Sequence, residues 1–331
     1  MPPMKAFKVK KYGSPLDALQ QVELDRPQPK DNDILIQVCA TTVNDYDWSV
    51  TSGNPLTYRL LFGLSKPRKK YAIPGMELSG IVTGLGKNVT RFKIGDEVYG
   101  DTSDFGFGSF AEYISLNEKA VELKPKEISF EEAASIPHAA MLALQGLRDL
   151  GQLKDNQKIL VNGGGGGVGT FAIQIAKTFN THVTGVDTGE KLSTMKTLGF
   201  DEVVDYKKVD FTKEKQKYDL ILDCKTNRNI WRFLPVLNPK GKYISIGGKS
   251  GKLLQMIYMK PLLKILSTKR VQVLMLKGNH DLEFINQLYA EKKLKCIIDG
   301  PHSFDKIPWA VQRFGEGLHT GKIVISLNQK D

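Results

Sequence analysis

"VNGGGGGVG", residues 161–169, sets five consecutive glycines between a β-branched apolar run and a helical one. The preceding "KILVNG" (158–163) reads as a strand and the following "TFAIQIAKTF" (170–179) as a helix, so the glycines occupy a strand-to-helix turn. Within them Gly164, Gly166 and Gly169 satisfy the spacing G-x-G-x-x-G. At such a turn the first glycine allows the tight bend, the second lets a pyrophosphate approach the backbone, and the third brings helix and strand together. Gly167 and Val168 are expected to join them in binding the cofactor, beside a helix N-terminus whose unpaired N–H groups and positive dipole end suit phosphates. A flexible linker would not lie between two periodic apolar segments.

Working outward, "SFEEAASIPHAAMLALQGLRDL" (129–150) places acidic residues ahead of apolar ones at helical spacing. After the glycines come "HVTGVD" (182–187), "KLSTMKTLG" (191–199), "EVVDY" (202–206), "YDLILDC" (218–224), a helix near "NIWRFLPVL" (229–237) and "GKYISIGG" (241–248). Strands alternating with helices at this spacing predict a doubly wound α/β domain with a parallel sheet and right-handed crossovers. Before residue 130 the pattern differs. Short β-rich runs, "DILIQVCATTV" (33–43), "LSGIVTGLG" (78–86) and "DEVYGD" (96–101), are separated by turn residues, as in an antiparallel, barrel-like domain.

The 331 residues suffice for two domains, and 41% hydrophobic with 25% charged residues is the balance of a globular protein rather than a disordered one. No stretch approaches the about 18 uninterrupted apolar residues of a membrane-spanning helix, and "MPPMKAFKVKKYG" lacks the apolar core of a signal peptide. The expectation is a cytoplasmic protein. Cys39, Cys224 and Cys296 are too scattered for a disulfide framework or a Cys-x-x-Cys metal site. The net charge of +11 is spread along the chain, with one dense cluster at Lys66, Arg68, Lys69 and Lys70. No aromatic-interleaved basic motif accompanies it, so a solvated basic surface is expected rather than a nucleic-acid partner.

The end of the second strand is where the adenosine ribose of a dinucleotide is read. Asp187 stands there, 18 positions after Gly169, and its carboxylate would accept hydrogen bonds from the ribose hydroxyls of NAD and repel a 2′-phosphate. Lys191 follows four residues later, and Tyr206, Lys207 and Lys208 follow the third strand, all suited to holding that phosphate. These residues pull in opposite directions.

Taken in order, "VNDYD" (43–47), "PGMELSGIV" (74–82), "RFKIGDEVYG" (91–100), "GSFAEY" (108–113), "EAASIP" (132–137), "NGGGGGVG" (162–169), "DEVVDY" (201–206) and "GKIVIS" (321–326) cover the whole chain. They resemble the medium-chain dehydrogenase/reductase superfamily, and within it the zinc-free quinone oxidoreductase branch. The resemblance implies a GroES-like substrate domain from residues 1–128 and 280–331 and a Rossmann NAD(P)-binding domain from 129–279, with the active site in the cleft between them. It implies hydride transfer from NAD(P)H to a quinone or α,β-unsaturated carbonyl. A lysine and a tyrosine with the spacing of Lys191 and Tyr206 hold the NADPH phosphate in that branch, so NADP(H) is favoured over NAD(H). Asp187 departs from the small residue usual there; read as an exposed carboxylate, it would rotate away.

By the same resemblance Asn44 replaces the ligand cysteine of the zinc enzymes and Met76 their histidine, and the four-cysteine lobe is missing. No zinc is expected. The branch sets Asn44 beside the nicotinamide ribose and substrate as a polar orienter. Tyr46 is the candidate to donate a hydrogen bond or proton to an enolate, with an aromatic packed in the cleft wall as the competing reading. Asp47 is expected to buttress that loop, and His138, in an apolar helical run, to be structural. Leu142 stands where much of the branch has a threonine on the nicotinamide. In "ISIGG" (244–248), Gly247 and Gly248 allow a close backbone approach to the nicotinamide half, although a plain turn explains them as well.

Two segments, 55–70 and 252–270, combine apolar residues with basic ones. A lid over a bulky apolar substrate is the preferred reading, and such a composition also suits an anionic membrane face. Pro261 interrupts the second segment and weighs against the membrane. The strand "RVQVLML" (270–276) offers an edge for a homodimer. A zinc-independent alcohol dehydrogenase, an enoyl reductase and a non-catalytic NADPH-binding protein are the alternatives.

Overall fold

The computed structural model describes residues 3–247, 255–256, 258–259, 261 and 267–327. Contacts divide the chain into two compact units, one of residues 1–138, 278–282 and 298–331, the other of 139–277 and 283–297. Against the expected boundaries at 128 and 280, residues 129–138 cluster with the first unit and 283–297 with the second.

The first unit opens with a hairpin of β1 (Met4–Val9) and β2 (Leu19–Leu24), joined through the short helix α1 (Pro15–Ala18). Its main sheet runs in the order β14 (Ile298–Ser303), β15 (Lys322–Ser326), β3 (Asp33–Thr42), β4 (Glu77–Leu85), β5 (Glu97–Asp101) and β7 (Glu122–Leu123), with β6 (Tyr113–Asn117) also on β3. All these pairs are antiparallel except β14 with β15. Alternate residues of β3 and β4 point inward, so Ile34, Ile36, Val38, Leu78 and Val82 form one core with Val98 and Leu116. Helix α2 (Asp45–Ser52) leaves the end of β3; α3 (Tyr58–Phe62) follows it.

The chain reaches the second unit through α4 (Phe130–Ser135) and α5 (Pro137–Leu144). The sequence pattern over 129–150 predicts one helix; the structure makes two, followed by a wide turn over Gln145–Leu150. Pro137 is the cause, since its ring disfavours continuation through Ile136 and its missing N–H suits the first position of a new helix. At the start of α4, Ser129 Oγ accepts the Glu132 N–H at 3.1 Å and the Glu132 carboxylate accepts the Ser129 N–H at 3.1 Å, a capping box.

The six-stranded sheet of the second unit is parallel throughout and ordered β10 (Glu202–Asp205), β9 (His182–Asp187), β8 (Lys158–Asn162), β11 (Tyr218–Asp223), β12 (Leu237–Ser245), β13 (Arg270–Val273). The order reverses between β8 and β11, which makes the carboxyl ends of these two strands the switch point of a doubly wound sheet. Helix α6 (Gly167–Ala176) links β8 to β9, and α7 (Lys191–Thr197) links β9 to β10. The helix expected near 229–237 is instead two single turns, Ile230–Arg232 and Leu234–Val236, because Pro235 cannot continue a longer helix. Helices α8 (Leu282–Ala290) and α9 (Ile307–Gly315) complete the chain, α9 packing Ile307, Ala310 and Val311 into the first unit. Most of the expected lid segment 252–270 lies outside the described residues.

Candidate functional site

In the second unit the chain leaves β8 at Asn162 and turns at Gly163, whose φ of +94° is the left-handed region. The sequence reading gave this bend to Gly164. Gly164 instead serves packing: a Cβ there would meet Met195 Cε at 2.7 Å and Phe200 at 3.1 Å. A Cβ on Gly169 would come within 2.2 Å of the Gly163 carbonyl oxygen, so only glycine lets α6 lie this close to the loop. No side chain caps α6, because Gly166 holds the N-cap position. The first N–H groups of α6, from Gly167, Val168 and Gly169, therefore start a ten-residue helix without a side-chain cap.

Asp187 ends β9 and is 2% exposed, not exposed as expected. Its Oδ2 accepts the Gly165 N–H at 3.0 Å, its Oδ1 accepts the Thr188 N–H at 3.0 Å, and the Lys191 ammonium lies 3.8 Å from Oδ1. The carboxylate is therefore turned onto the glycine loop and its charge compensated, and free rotation is not open to it. Tyr206 follows β10, its N–H bonded to the Asp187 carbonyl at 3.1 Å and its ring part-exposed. Sheet register thus brings Asp187, Lys191 and Tyr206 to one corner.

At the carboxyl ends of β8, β11 and β12 lies a buried polar cluster the sequence reading missed. Asp223 accepts from Asn162 Nδ2 at 2.7 Å, the Thr226 N–H at 2.9 Å and the Tyr243 hydroxyl at 2.5 Å. Burial and the Asp223 charge hold the Tyr243 phenol far above its ordinary range. The Gly247 carbonyl accepts from Ser245 Oγ at 2.7 Å and Thr226 Oγ1 at 3.0 Å, at a φ of +69°. This cluster therefore fixes the turn at Gly247; Gly248 lies outside the described residues. Leu142 is buried on α5.

In the first unit Asn44 precedes α2. Its N–H donates to Asp47 Oδ2 at 2.8 Å, and Asp47 Oδ1 accepts the Gly75 N–H at 2.7 Å, which ties the start of α2 to the loop before β4. The Asn44 amide donates to Thr42 Oγ1 and Glu77 Oε2, both at 3.2 Å, while its Oδ1 accepts from Lys322 Nζ at 2.6 Å. Lys322 also donates to Glu77 Oε2 at 2.7 Å, and Thr42 Oγ1 makes a short bond to the same oxygen. Glu77 and Lys322, both buried, were not among the expected site residues. The available signal was a charged residue inside each of the apolar strand patterns "PGMELSGIV" and "GKIVIS".

Tyr46 packs edge-on against Tyr58 and Phe62, at centroid separations of 6.2 and 6.3 Å. Burial, with the nearby Asp45 charge, pushes its phenol up to about 12. His138 Nδ1 lies 2.7 Å from Asp101 Oδ2, and Nε2 faces Asp45 Oδ1 at 3.9 Å. Burial alone would lower its pKa, but the Asp101 charge and hydrogen bond raise it, helped by Asp45 and Glu77. His138 is thus hydrogen-bonded to a buried carboxylate that favours its protonated form, rather than a lone histidine on an apolar face.

Burial pushes the Asp47 carboxyl up to about 7, against the lowering effect of the Asn44 and Gly75 N–H groups and of Lys322. Between pH 4 and 7 the folded form then holds a proton that the unfolded chain releases, so Asp47 costs stability as pH rises through that window. The urea unfolding free energy of the wild type relative to Asp47→Asn should fall by on the order of a few kcal/mol as pH rises from about 4 to 7. A pH-independent difference would contradict this.

Residues 30–126 match the family profile described as the alcohol dehydrogenase GroES-like domain, and residues 198–325 the one described as zinc-binding dehydrogenase. A chloroplastic quinone-oxidoreductase homolog of Spinacia oleracea is 34% identical over 333 residues, covering 97% of this chain and 98% of the relative. The chain belongs to the medium-chain dehydrogenase/reductase superfamily. Its relatives place it in the quinone oxidoreductase branch: a chloroplast envelope quinone oxidoreductase homolog of Arabidopsis thaliana is 32% identical over 97% of this chain and 98% of that one. A 2-methylene-furan-3-one reductase of Solanum lycopersicum is 32% identical over 97% of this chain and 79% of the relative. Among solved structures, the quinone oxidoreductase of Coxiella burnetii superposes with a TM-score of 0.85 at 26% identity, over 98% of this chain and 100% of that one. The fold is thus a Rossmann sheet with a GroES-like domain.

These relatives correct one expectation. Similar curated proteins are named as chloroplastic, as of the chloroplast envelope, or as mitochondrial, which overturns the cytoplasmic assignment. An apolar signal-peptide core is the wrong feature to seek, because organelle addresses are amphipathic and Ser/Arg-rich.

Proposed function

We propose that this chain is an NAD(P)H-dependent oxidoreductase that passes hydride to a quinone or an α,β-unsaturated carbonyl. The uncapped start of α6 against a glycine loop, at the switch point of a six-stranded parallel sheet, carries the reading. The glycine packing leaves no room for side chains there, so backbone can approach a pyrophosphate, and the first-turn N–H groups of Gly167, Val168 and Gly169 would bond it. The bound cofactor supplies hydride from its nicotinamide ring. Everything else falls to the protein.

NADP(H) is favoured over NAD(H). Asp187 would repel a 2′-phosphate, but two N–H groups and Lys191 already compensate its charge, which supports Lys191 and Tyr206 as the phosphate holders. Gly247 supports the nicotinamide half through a turn fixed by Asp223, Thr226 and Ser245.

On the acceptor side, the Asn44 amide is held by Thr42 and Glu77, which share a donor from its Nδ2, and by Lys322, which donates to its Oδ1. An amide fixed in this way suits a polar orienter of a ribose or substrate hydroxyl. Tyr46, its phenol pushed up to about 12 by burial, is protonated at neutral pH and is the candidate to donate a hydrogen bond or proton to a developing enolate. The exposed Leu56, Leu60, Leu61 and Leu64 support a bulky apolar acceptor. The chemistry of Asn44 and Met76, an amide and a thioether where a zinc enzyme has a cysteine and a histidine, supports a reaction without zinc. An electron-poor acceptor needs no Lewis acid to take hydride. β13 ends its sheet, and a second copy would add strands there.

The test is to titrate the protein with NADPH and NADH by fluorescence, then add 9,10-phenanthrenequinone and follow the reduced nicotinamide absorbance. Oxidation with NADPH preferred is expected; tight binding without oxidation of any electron-poor acceptor would select the non-catalytic alternative.

A further inference from the structure

The second unit carries a cavity of about 850 Å³ that the proposed reaction does not use. It opens where β8, β11 and β13 begin, between the turn before β8, the turn inside β12 and the approach to β13. The glycine loop lies at the other end of β8, roughly 15 Å away for five strand residues. Five cations line the cavity, Lys154, Lys240, Lys242, Lys269 and Arg270, against one carboxylate, Asp219.

That carboxylate is already engaged, accepting the Lys158 N–H at 2.9 Å and Asn238 Nδ2 at 2.7 Å. Among the described residues these cations pair with no acid. Lys242 Nζ bonds the Gly151 carbonyl at 2.9 Å and the Gln152 side chain at 2.6 Å, and Lys269 Nζ bonds the Leu234 carbonyl at 2.5 Å. Lysines beside carbonyls at the end of the Gln145–Leu150 turn are a normal cap, and this accounts for Lys242. It does not account for Lys154, Lys240 and Arg270, whose charges crowd the same opening. Burial, then the Arg270 and Lys154 charges, hold the Lys242 ammonium below its ordinary range; burial and Lys217 do the same to Lys269. Like charges held together around a concavity are relieved by an anion.

The geometry points to a second ligand site here, for a soluble polyanion of the phosphate-bearing class, separate from the dinucleotide site. The Arg270 guanidinium offers a planar fork for phosphate oxygens, and the lysines offer point charges around it. The cavity volume falls within the range of small-ligand pockets and far exceeds one phosphate, so a ligand with several charged groups fits better than a single ion. A lining this charged does not suit the apolar acceptor of the reductase reaction.

The proposal is tested by calorimetric titration of the NADPH-saturated protein with tripolyphosphate. Saturable binding is expected, with affinity falling steeply from 50 to 200 mM salt. Lys240→Glu/Arg270→Glu should weaken it by about tenfold or more while NADPH affinity changes by less than about twofold. The milder Lys240→Gln/Arg270→Gln pair, checked for an unchanged melting temperature, serves if the reversal does not fold. Equal binding by these variants and wild type, or competition between tripolyphosphate and NADPH, would overturn the proposal, the latter by placing the anion on the glycine loop. Pelleting with phosphatidic acid vesicles through Lys240 and Arg270, without binding of soluble tripolyphosphate, would overturn it too, in favour of a lipid headgroup. None of these outcomes depends on turnover, so the site stands or falls apart from the reductase reading.

Discussion

Lys322→Met is expected to cost about 3–5 kcal/mol of stability, among the largest effects of any single substitution in this chain. Lys322 is 4% exposed and Glu77 fully buried, and the two meet at 2.7 Å. Removing the ammonium leaves a buried carboxylate facing only neutral donors, Thr42, the Asn44 amide and the His138 N–H. An uncompensated buried charge costs far more than the net worth of the pair that contained it. Glu77→Gln in the same chain should therefore recover part of the loss, and the double-mutant cycle should give a coupling above about 1 kcal/mol. Denaturant unfolding followed by tryptophan fluorescence measures all four proteins. A loss below about 1 kcal/mol for the single variant would mean that water, not Lys322, compensates Glu77.

Lys191→Ala should weaken NADPH binding by about 10- to 100-fold, the loss of one charge-assisted contact of about 1.5–3 kcal/mol. NADH binding should fall much less. Two effects act together. The ammonium 3.8 Å from Asp187 is gone, and the carboxylate it balanced then repels a 2′-phosphate unopposed, while remaining able to accept from the ribose hydroxyls of NADH. Dissociation constants from quenching of protein fluorescence read both cofactors directly. An equal loss for NADH and NADPH would assign Lys191 to holding the loop through Asp187 rather than to reading the phosphate.

The parts of the fold legible in the sequence were the local ones. The glycine run between periodic segments identifies a strand, a turn and a helix within twenty residues, and the alternation after it fixes a parallel sheet. What the residues did not disclose is pairing over distance. His138 finds Asp101 from 37 positions away, and Lys322 finds Glu77 from 245. Each partner looks unremarkable in its own strand, and only the fold supplies the reason a charge lies inside an apolar pattern. Asp187 was misread for a related cause. A carboxylate at a strand end is ordinarily solvated, but here the glycine loop presents an N–H to it and buries it. Proline effects were legible in principle: Pro137 and Pro235 each divide a pattern that apolar periodicity alone reads as one helix.

The central claim is direct hydride transfer to an electron-poor acceptor, and isotopic transfer tests it most directly. The protein is given NADPH deuterated at either face of nicotinamide C4, with an open-chain enone whose β-carbon retains what it receives. One of the two labelled cofactors should yield a saturated ketone carrying a single deuterium at that carbon, and the other an unlabelled product. Oxidation of NADPH without deuterium in the ketone from either cofactor, or no oxidation with any enone or quinone, would contradict the account.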